Sequence, residues 1–440
     1  MTNGLRTILP EILTKAQQDS IGIYPLRAWR VSFQQSQMIT LGIKNNVGGS
    51  VYRPPTYKSS ESASLFLVWK DGKCTKTRMN TPAEGKVSDW DEQLKSWRLA
   101  AFADPYAQEI PKPAEFPQVQ LASEDIYKVI SRDNDYIFQQ QERILRNHPA
   151  GAQTNASIKA FWGRNFLYTS TGIDLDYEES RYALSWAFDS QIAQTFAQRR
   201  LPTGQEFLEL WQDSIAKYSA IQEAGTPISE RTLVVLAPSV VEQMIGQYLV
   251  PNFSGEKIIQ GQSKFKKADF TKKKEVFAQS LSLEINPLRP YHWESYLVTD
   301  EGIPATRTEL ALNGRLNSPY LNVKNANRWG LVPTAIPAGA SSIILKSAKQ
   351  VTWQQMLSQI DDGVLVLSVL GIHTQNPVAG NFSLSAPTCI RIRQGKLAGK
   401  VSLRINGNIW DVLQSENTAY AQSPLYDEPY MLVECIAENI

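Results

Sequence analysis

Residues 364–405 read VLVLSVLGIHTQNPVAGNFSLSAPTCIRIRQGKLAGKVSLRI. Residues 364–372 form a short continuous apolar run, the pattern of a strand buried on both faces. Residues 388–393 and 401–405 alternate apolar with polar, so each lays one face on a core. Gln394-Gly395 between them is a hairpin signal. The connection from the apolar run to the first alternating strand holds two turn-forming pairs, Asn376-Pro377 and Gly380-Asn381. His373, Thr374, Asn376, Asn381 and Ser383 gather there as a polar cluster. Antiparallel strands joined by a polar loop set the pattern for the rest of the chain.

Upstream of this stretch, Thr352 to Gln355 reads as a capping box. The short helix it opens turns Trp353, Met356, Leu357 and Ile360 inward and ends at Gly363. Residues 232–237 are β-rich, and Ser239 to Glu242 reads as a second capping box opening a helix with Val241, Met244, Ile245 and Tyr248 on one face. Residues 276–283 and 309–316 are strand-like. In the first half, residues 27–41 alternate through Trp29, Val31 and Phe33. Residues 64–69 form a strand before an Asp71-Gly72 turn, and residues 81–92 are polar. Residues 97–102 read as a helix tail stopping before Pro105, and the proline-rich stretch 105–117 as an extended connector. Residues 123–147 are helical. A strand pair, 160–170 and 182–188, is joined through Thr171-Gly172. Thr203-Gly204-Gln205-Glu206 is a capping box, after which Phe207, Leu208, Trp211, Ile215 and Tyr218 share a helix face. That helix ends near Gly225-Thr226-Pro227, and a boundary at about 222–230 follows. The expectation is an α+β chain of two domains, 1–224 and 225–440, each with a mixed or antiparallel sheet and packed helices; the second is the more β-rich.

The 440 residues are 42% hydrophobic and 20% charged, the balance of a globular protein. Basic and acidic residues number 45 and 43, so no global attraction to nucleic acid or membrane is implied. Three scattered cysteines, Cys74, Cys389 and Cys435, make no disulfide framework and fit a reducing compartment. The first twenty residues lack the apolar stretch of a secretory signal, and no run approaches the about 18 apolar residues of a membrane span. A cytoplasmic protein is expected. Trp162, Trp186, Trp211, Trp293, Trp329 and Trp353 fall in patterned segments and are expected in the core or at an interface.

The chain has three histidines, His148, His292 and His373, and no two share a helical turn. A His-Glu-x-x-His helix, paired Cys-x-x-Cys clusters, a G-x-S-x-G elbow and a phosphate-binding G-x-x-x-x-G-K-[ST] loop are all absent. His292, His373 and Cys435 have zinc-type donors and their sequence distance does not forbid a shared site, but nothing in the sequence favours one, and Cys435 reads as a small hydrophobe in an apolar strand. Asp174, Asp176, Glu178 and Glu179 read as a solvated strand edge rather than an acid–base pair. Residues 264–275, KFKKADFTKKKE, carry six lysines. This run reads as a solvated loop. The competing reading is a nucleic-acid surface, with Phe265 and Phe270 available to stack on bases.

In colinear order the chain resembles the TldD/PmbA family. Ser170-Thr171-Gly172-Ile173-Asp174 and Tyr177-Glu178-Glu179-Ser180-Arg181-Tyr182 resemble the family's "SNG…Y…SRYSLS". Residues 233–245 resemble its strand and Pro-Ser-capped helix, and 300–307 (DEGIPATR) resemble "DGEGxxTRR". Residues 316–331 resemble "LxxWLxDxxxAxxLGL", and 371–383 (GIHTQNPVAGNFS) resemble "G…NPVTGDFS" most sharply. Residues 404–409 resemble "ITIAGNL", and Leu432-Val433-Glu434 a closing "LLVE" strand. The resemblance covers residues 160–440. It departs at Asn381, where the family has Asp, and at Ala379, where Thr is common. TldD-like members carry a His-Glu-x-x-x-His zinc helix and a later cysteine ligand. TldE (PmbA)-like members lack that helix, as this chain does. The resemblance therefore implies a subunit without metal or catalytic residues of its own. Its partner would be a TldD-like zinc subunit in a heterodimer that hydrolyses unfolded or short peptides, or a second copy in a homodimer. It also implies that His373, Thr374, Asn376, Asn381 and Ser383 line the substrate cavity. A non-enzymatic DNA- or gyrase-binding regulator acting through residues 264–274 is the competing expectation.

Overall fold

The computed structural model describes residues 3–18, 25–49, 55–80, 90–131, 135–228, 231–337 and 342–440. Most of the polar run 81–92, namely 81–89, lies outside these, as do residues 229 and 230 of the expected boundary.

The first sheet is antiparallel and eight-stranded. Its main path runs Phe102–Ala103, Lys73–Asn80, Thr56–Trp69, Leu26–Lys44, Thr154–Thr169, Asp174–Phe188 and Ile192–Gln198, and Val47–Gly48 folds back on the long strand. The alternation in Leu26–Lys44 decides its packing. Trp29, Val31 and Phe33 are buried with Leu9 and Leu13 of helix Asn3–Gln18 and with Leu94 and Trp97 of helix Trp90–Leu99. Further along the same strand face, Ile39, Leu41 and Ile43 join Ile137 and Ile144 of helix Asp135–Asn147 and Phe207 and Trp211 of helix Gly204–Ala220. Helices thus cover the two ends of one sheet face.

The Thr203 capping box forms as the sequence implies: the Glu206 N–H donates to the Thr203 hydroxyl at 3.1 Å, and the Thr203 N–H donates to Glu206 Oε2 at 2.8 Å. The helix tail before Pro105 ends earlier than expected, at Leu99, and Phe102 instead pairs with Cys74 at the sheet edge.

In the second half, a small antiparallel sheet runs Arg315–Leu316, Thr308–Leu312, Leu281–Ile285 and Ile344–Ser347. The expected strand over 276–283 is thus confined to Leu281–Ile285. Val276, Phe277 and Ala278 are buried without strand pairing; their N–H groups donate to the carbonyls of Gly314 and Leu413. A mixed sheet carries the rest. The hairpin Asn381–Arg393 and Lys396–Asn408 is as expected, longer at both ends, and turns through Gln394 and Gly395 at φ 48° and 70°. The apolar run at 364–372 is a strand only to Val366. Beyond it the Leu367 N–H still donates to the Thr388 carbonyl at 3.1 Å, and Leu370 meets the sheet again as an isolated bridge opposite Ser385.

Strand Arg231–Leu236 pairs in parallel with Asp362–Val366 and antiparallel with Tyr430–Asn439. Through the hairpin, these strands close five on themselves and leave little free edge. The ring interior and the helix Pro238–Met244 form one large apolar cluster. The outer residues Val235, Leu365, Ile390 and Ile392 join the cluster of Trp186, Phe207 and Trp211, so the core runs continuously between the ring and the first sheet.

The expected capping box at Ser239 is not made. Helix Pro238–Met244 starts with proline in its first turn and Ala237 as N-cap, and the Ser239 hydroxyl donates to the Leu367 carbonyl instead. The box at Thr352 and Gln355 does form.

Candidate functional site

The loop 371–383 is built from its backbone outward. Gly371 takes φ 86° and opens the single turn Ile372–Thr374. Asn376 closes the next turn: its Oδ1 accepts the N–H of Val378 at 2.9 Å and of Ala379 at 3.2 Å. Gly380 sits at φ 79°, and a Cβ there would run into the Trp410 indole, so only glycine fits. Side chains from beneath take the loop carbonyls. Gln247 Nε2 donates to Gln375 O at 2.7 Å, Asn252 Nδ2 to Pro377 O at 3.0 Å, and Trp410 Nε1 to Val378 O at 3.1 Å. Tyr248 and Gln247 lie in a π-helical turn, Ile245–Leu249, a local irregularity common at functional sites.

All five residues singled out from the sequence are exposed. The Thr374 hydroxyl donates to Gly371 O, and Asn381 Oδ1 accepts from Asn408 Nδ2 at 2.8 Å. Asn381 and Asn376 lie on one rigid turn, and His373 and Thr374 lie just before it. Ser383 follows on strand Asn381–Arg393, opposite Asn406. An Asp at 381 could accept the same Asn408 bond, so the departure from the family pattern keeps the hydrogen bond and removes a charge.

The histidines do not converge. His148 contacts its own Pro149 carbonyl. His292 is buried; its Nδ1 accepts the Glu294 N–H, so Nε2–H donates to Asp427 Oδ2 at 2.7 Å. His373 is on the exposed loop, and Cys435 sits on the strand opposite Thr232. Among the described residues, no group of three or more His, Cys, Asp or Glu side chains could hold a metal ion. The donor set therefore does not fit zinc.

Beside His292 lies a carboxylate pair that the sequence concealed. Burial pushes Glu428 up to about 8, with Glu242 and Asp427 adding to the effect, and its Oε2 has no hydrogen-bond partner. Burial also raises Glu242. Asp427 stays low because, against its burial, the His292 ring and Arg289 stabilise its charge.

A second concealed node lies on the first sheet. Glu179, expected on a solvated edge, is only 8% exposed. The strand edge is covered there: the Ser180 N–H donates to Leu121 O at 2.9 Å. Arg199, 3% exposed, donates to Glu179 Oε2 at 2.9 Å, His292 O at 3.1 Å and Ser295 O at 2.6 Å. Despite burial, the two arginines hold Glu179 below the usual carboxylate range. Arg181, Arg199, Trp293 and Glu294 line a cavity of about 200 Å³ beside this node. Ser180-Arg181-Tyr182 was legible as a family motif; the partner of Glu179 was not.

The six lysines of the 264–275 run are exposed, but the two phenylalanines among them are not. Phe265 and Phe270 are 2% and 6% exposed, packed with Phe253 and Phe277, and offer no face to a base. Lys264 and Lys267 lie over Trp410 and Trp329. Among the described residues, no helix is long and apolar enough to cross a membrane.

Known proteins resemble this chain in sequence and in fold. Residues 229–433 match the family model of the PmbA/TldA metallopeptidase C-terminal domain. The whole chain is similar in fold to TldE from Thermococcus kodakarensis, with TM-score 0.80 and 16% identity, covering 98% of this chain and 99% of that one. A protein of Thermotoga maritima proposed as a modulator of a DNA gyrase is also similar, with TM-score 0.78, 17% identity and 99% and 100% coverage. In sequence, the chain is 23% identical over 358 residues to the uncharacterized protein MJ0231 of Methanocaldococcus jannaschii, spanning 79% of this chain and 82% of that one. Residues 229–433 thus match the PmbA/TldA C-terminal domain, and the chain as a whole shares its fold with TldE.

Proposed function

We propose that this chain is the TldE-like, non-metal subunit of a cytoplasmic peptidase pair. A TldD-like partner supplies zinc and the groups that activate water. This chain supplies one wall of the cavity that admits an unfolded or short peptide. The reading is carried by one observation: within the family fold, each histidine is committed separately, to its own turn, to Asp427 or to an exposed loop. The loop 371–383 is the proposed cavity-facing segment. Its carbonyls are fixed from below, and Thr374, Asn376 and Asn381, though tied into the turn, are exposed together with His373 and Ser383 where a peptide can meet them.

The test is co-expression with a TldD-like chain carrying the His-Glu-x-x-x-His helix. A stable pair that cleaves a short fluorogenic peptide, with no cleavage by this chain alone, supports the reading. Failure of the two to co-purify, or full activity of the lone chain, overturns it.

A further inference from the structure

We infer that the cavity beside Arg181 holds the carboxylate end of a peptide. This deepens the proposed function and rests on it for the choice of a peptide as ligand. The argument begins with charge. Glu179 is one carboxylate serving two guanidiniums, Arg199 at 2.9 Å and Arg181 at 3.3 Å. Arg199 is consumed by its carbonyl and carboxylate partners. Arg181 is not: among the described residues its Nε is buried with no hydrogen-bond partner, and its one salt bridge is the longer one to Glu179. Among Glu179, Arg199 and Arg181, one positive charge is thus left over, on Arg181.

The guanidinium is also held in place. Its central carbon lies 5.4 Å from the Trp293 ring centre and 5.8 Å from that of Phe161. Aromatic flanks fix the planar fork that recognises a carboxylate through two hydrogen bonds. The cavity, about 200 Å³, has room for about six or seven waters, the scale of one peptide residue and far less than a folded chain. Glu294 lines the same cavity and is exposed. It repels a bare anion such as phosphate. It accepts from a ligand that brings an N–H alongside its carboxylate, as the last residue of a peptide does.

The test uses the full chain alone and three fluorescent pentapeptides in an anisotropy titration. The first ends in a free carboxylate, the second in an amide, and the third in an amide that follows a C-terminal Glu. The free acid is expected to bind about tenfold to a hundredfold more tightly than the simple amide, the worth of a charge-assisted pair. Arg181→Gln is expected to abolish that ratio, and Arg181→Lys, which keeps the charge but not the fork, to retain part of it. Circular dichroism checks that both variants are folded, and the lysine variant carries the test if the glutamine variant is not. Excess inorganic phosphate is expected not to displace the free acid.

Equal binding of acid and amide, or a ratio that survives Arg181→Gln, overturns the inference. Displacement by phosphate reduces the cavity to a simple anion site and also overturns it. Tight binding of the Glu-ending amide moves recognition to a side chain and overturns the C-terminal assignment. If no probe binds while the chain still pairs with a TldD-like subunit, the cavity assignment falls and the subunit reading stands. If acid-selective binding appears without pairing, the reverse holds.

Discussion

Replacing Arg199 with methionine removes the cation that ties the first sheet to residues 292–295. The side chain donates to Glu179, to the Ser180 carbonyl and to the carbonyls of His292 and Ser295. Its loss leaves Glu179 buried with a weaker partner and several carbonyls unsatisfied. Breaking a buried pair from one side costs about 3–5 kcal/mol. Arg181 remains 3.3 Å from Glu179 and offsets part of this, while the freed carbonyls add to it. The expected loss is about 4 kcal/mol, a large share of a typical total of about 5–15 kcal/mol. Adding Glu179→Leu removes the stranded charge, so the double variant is expected to recover about half of that loss. Urea unfolding followed by tryptophan fluorescence reads both. A single-variant loss under about 1 kcal/mol refutes the argument, as does a double variant no more stable than the single.

Other consequences follow from particular residues. Alanine at His373 and Asn381 should change stability by about 0.5 kcal/mol or less at these exposed positions, yet lower peptide turnover by the assembled pair. Unchanged turnover removes the loop from the cavity. Gly380→Ala forces a Cβ into Trp410 at a positive φ and should cost about 2–4 kcal/mol by thermal melting; a neutral result means that the turn is not as described. Glu428 holds its proton to about pH 8 when folded, well above its unfolded value. Between the two values the folded chain binds more protons, so stability falls as pH rises, by at most about 1.4 kcal/mol per pH unit, and levels off above the folded value. Glu428→Gln should therefore gain stability relative to wild type between pH 5 and pH 8; a constant difference across that range contradicts the assignment.

Local structure was legible where one residue type could do one job. The alternation at 388–393 and 401–405 gave the hairpin, and the hydroxyl–carboxylate spacing at Thr203 and Glu206 gave the helix start. Legibility failed where burial came from distant chain. The stretch 276–283 reads as a strand, yet Val276, Phe277 and Ala278 are buried ahead of it, held by the Gly314 and Leu413 carbonyls. Ser239 looks like a cap, but with proline as the first helical residue the N-cap is Ala237, two residues earlier. The closing of the ring depends on pairing 231–236 with 362–366 and 431–436, separations that no local periodicity records. The candidate loop was visible because turns need particular residues. The Glu179 node was not, because the groups that cover it, Leu121, Arg199 and Ser295, are remote or outside its pattern.

The central claim is that this chain contributes structure and substrate contacts while its partner contributes the metal. Zinc per chain, measured by elemental mass spectrometry on the chain alone and on the pair with a TldD-like subunit, tests it most directly. The account predicts no bound zinc in the isolated chain and about one zinc per pair, the content of a single catalytic site. Stoichiometric zinc in the isolated chain, lost on replacing His292 or His373, would contradict it.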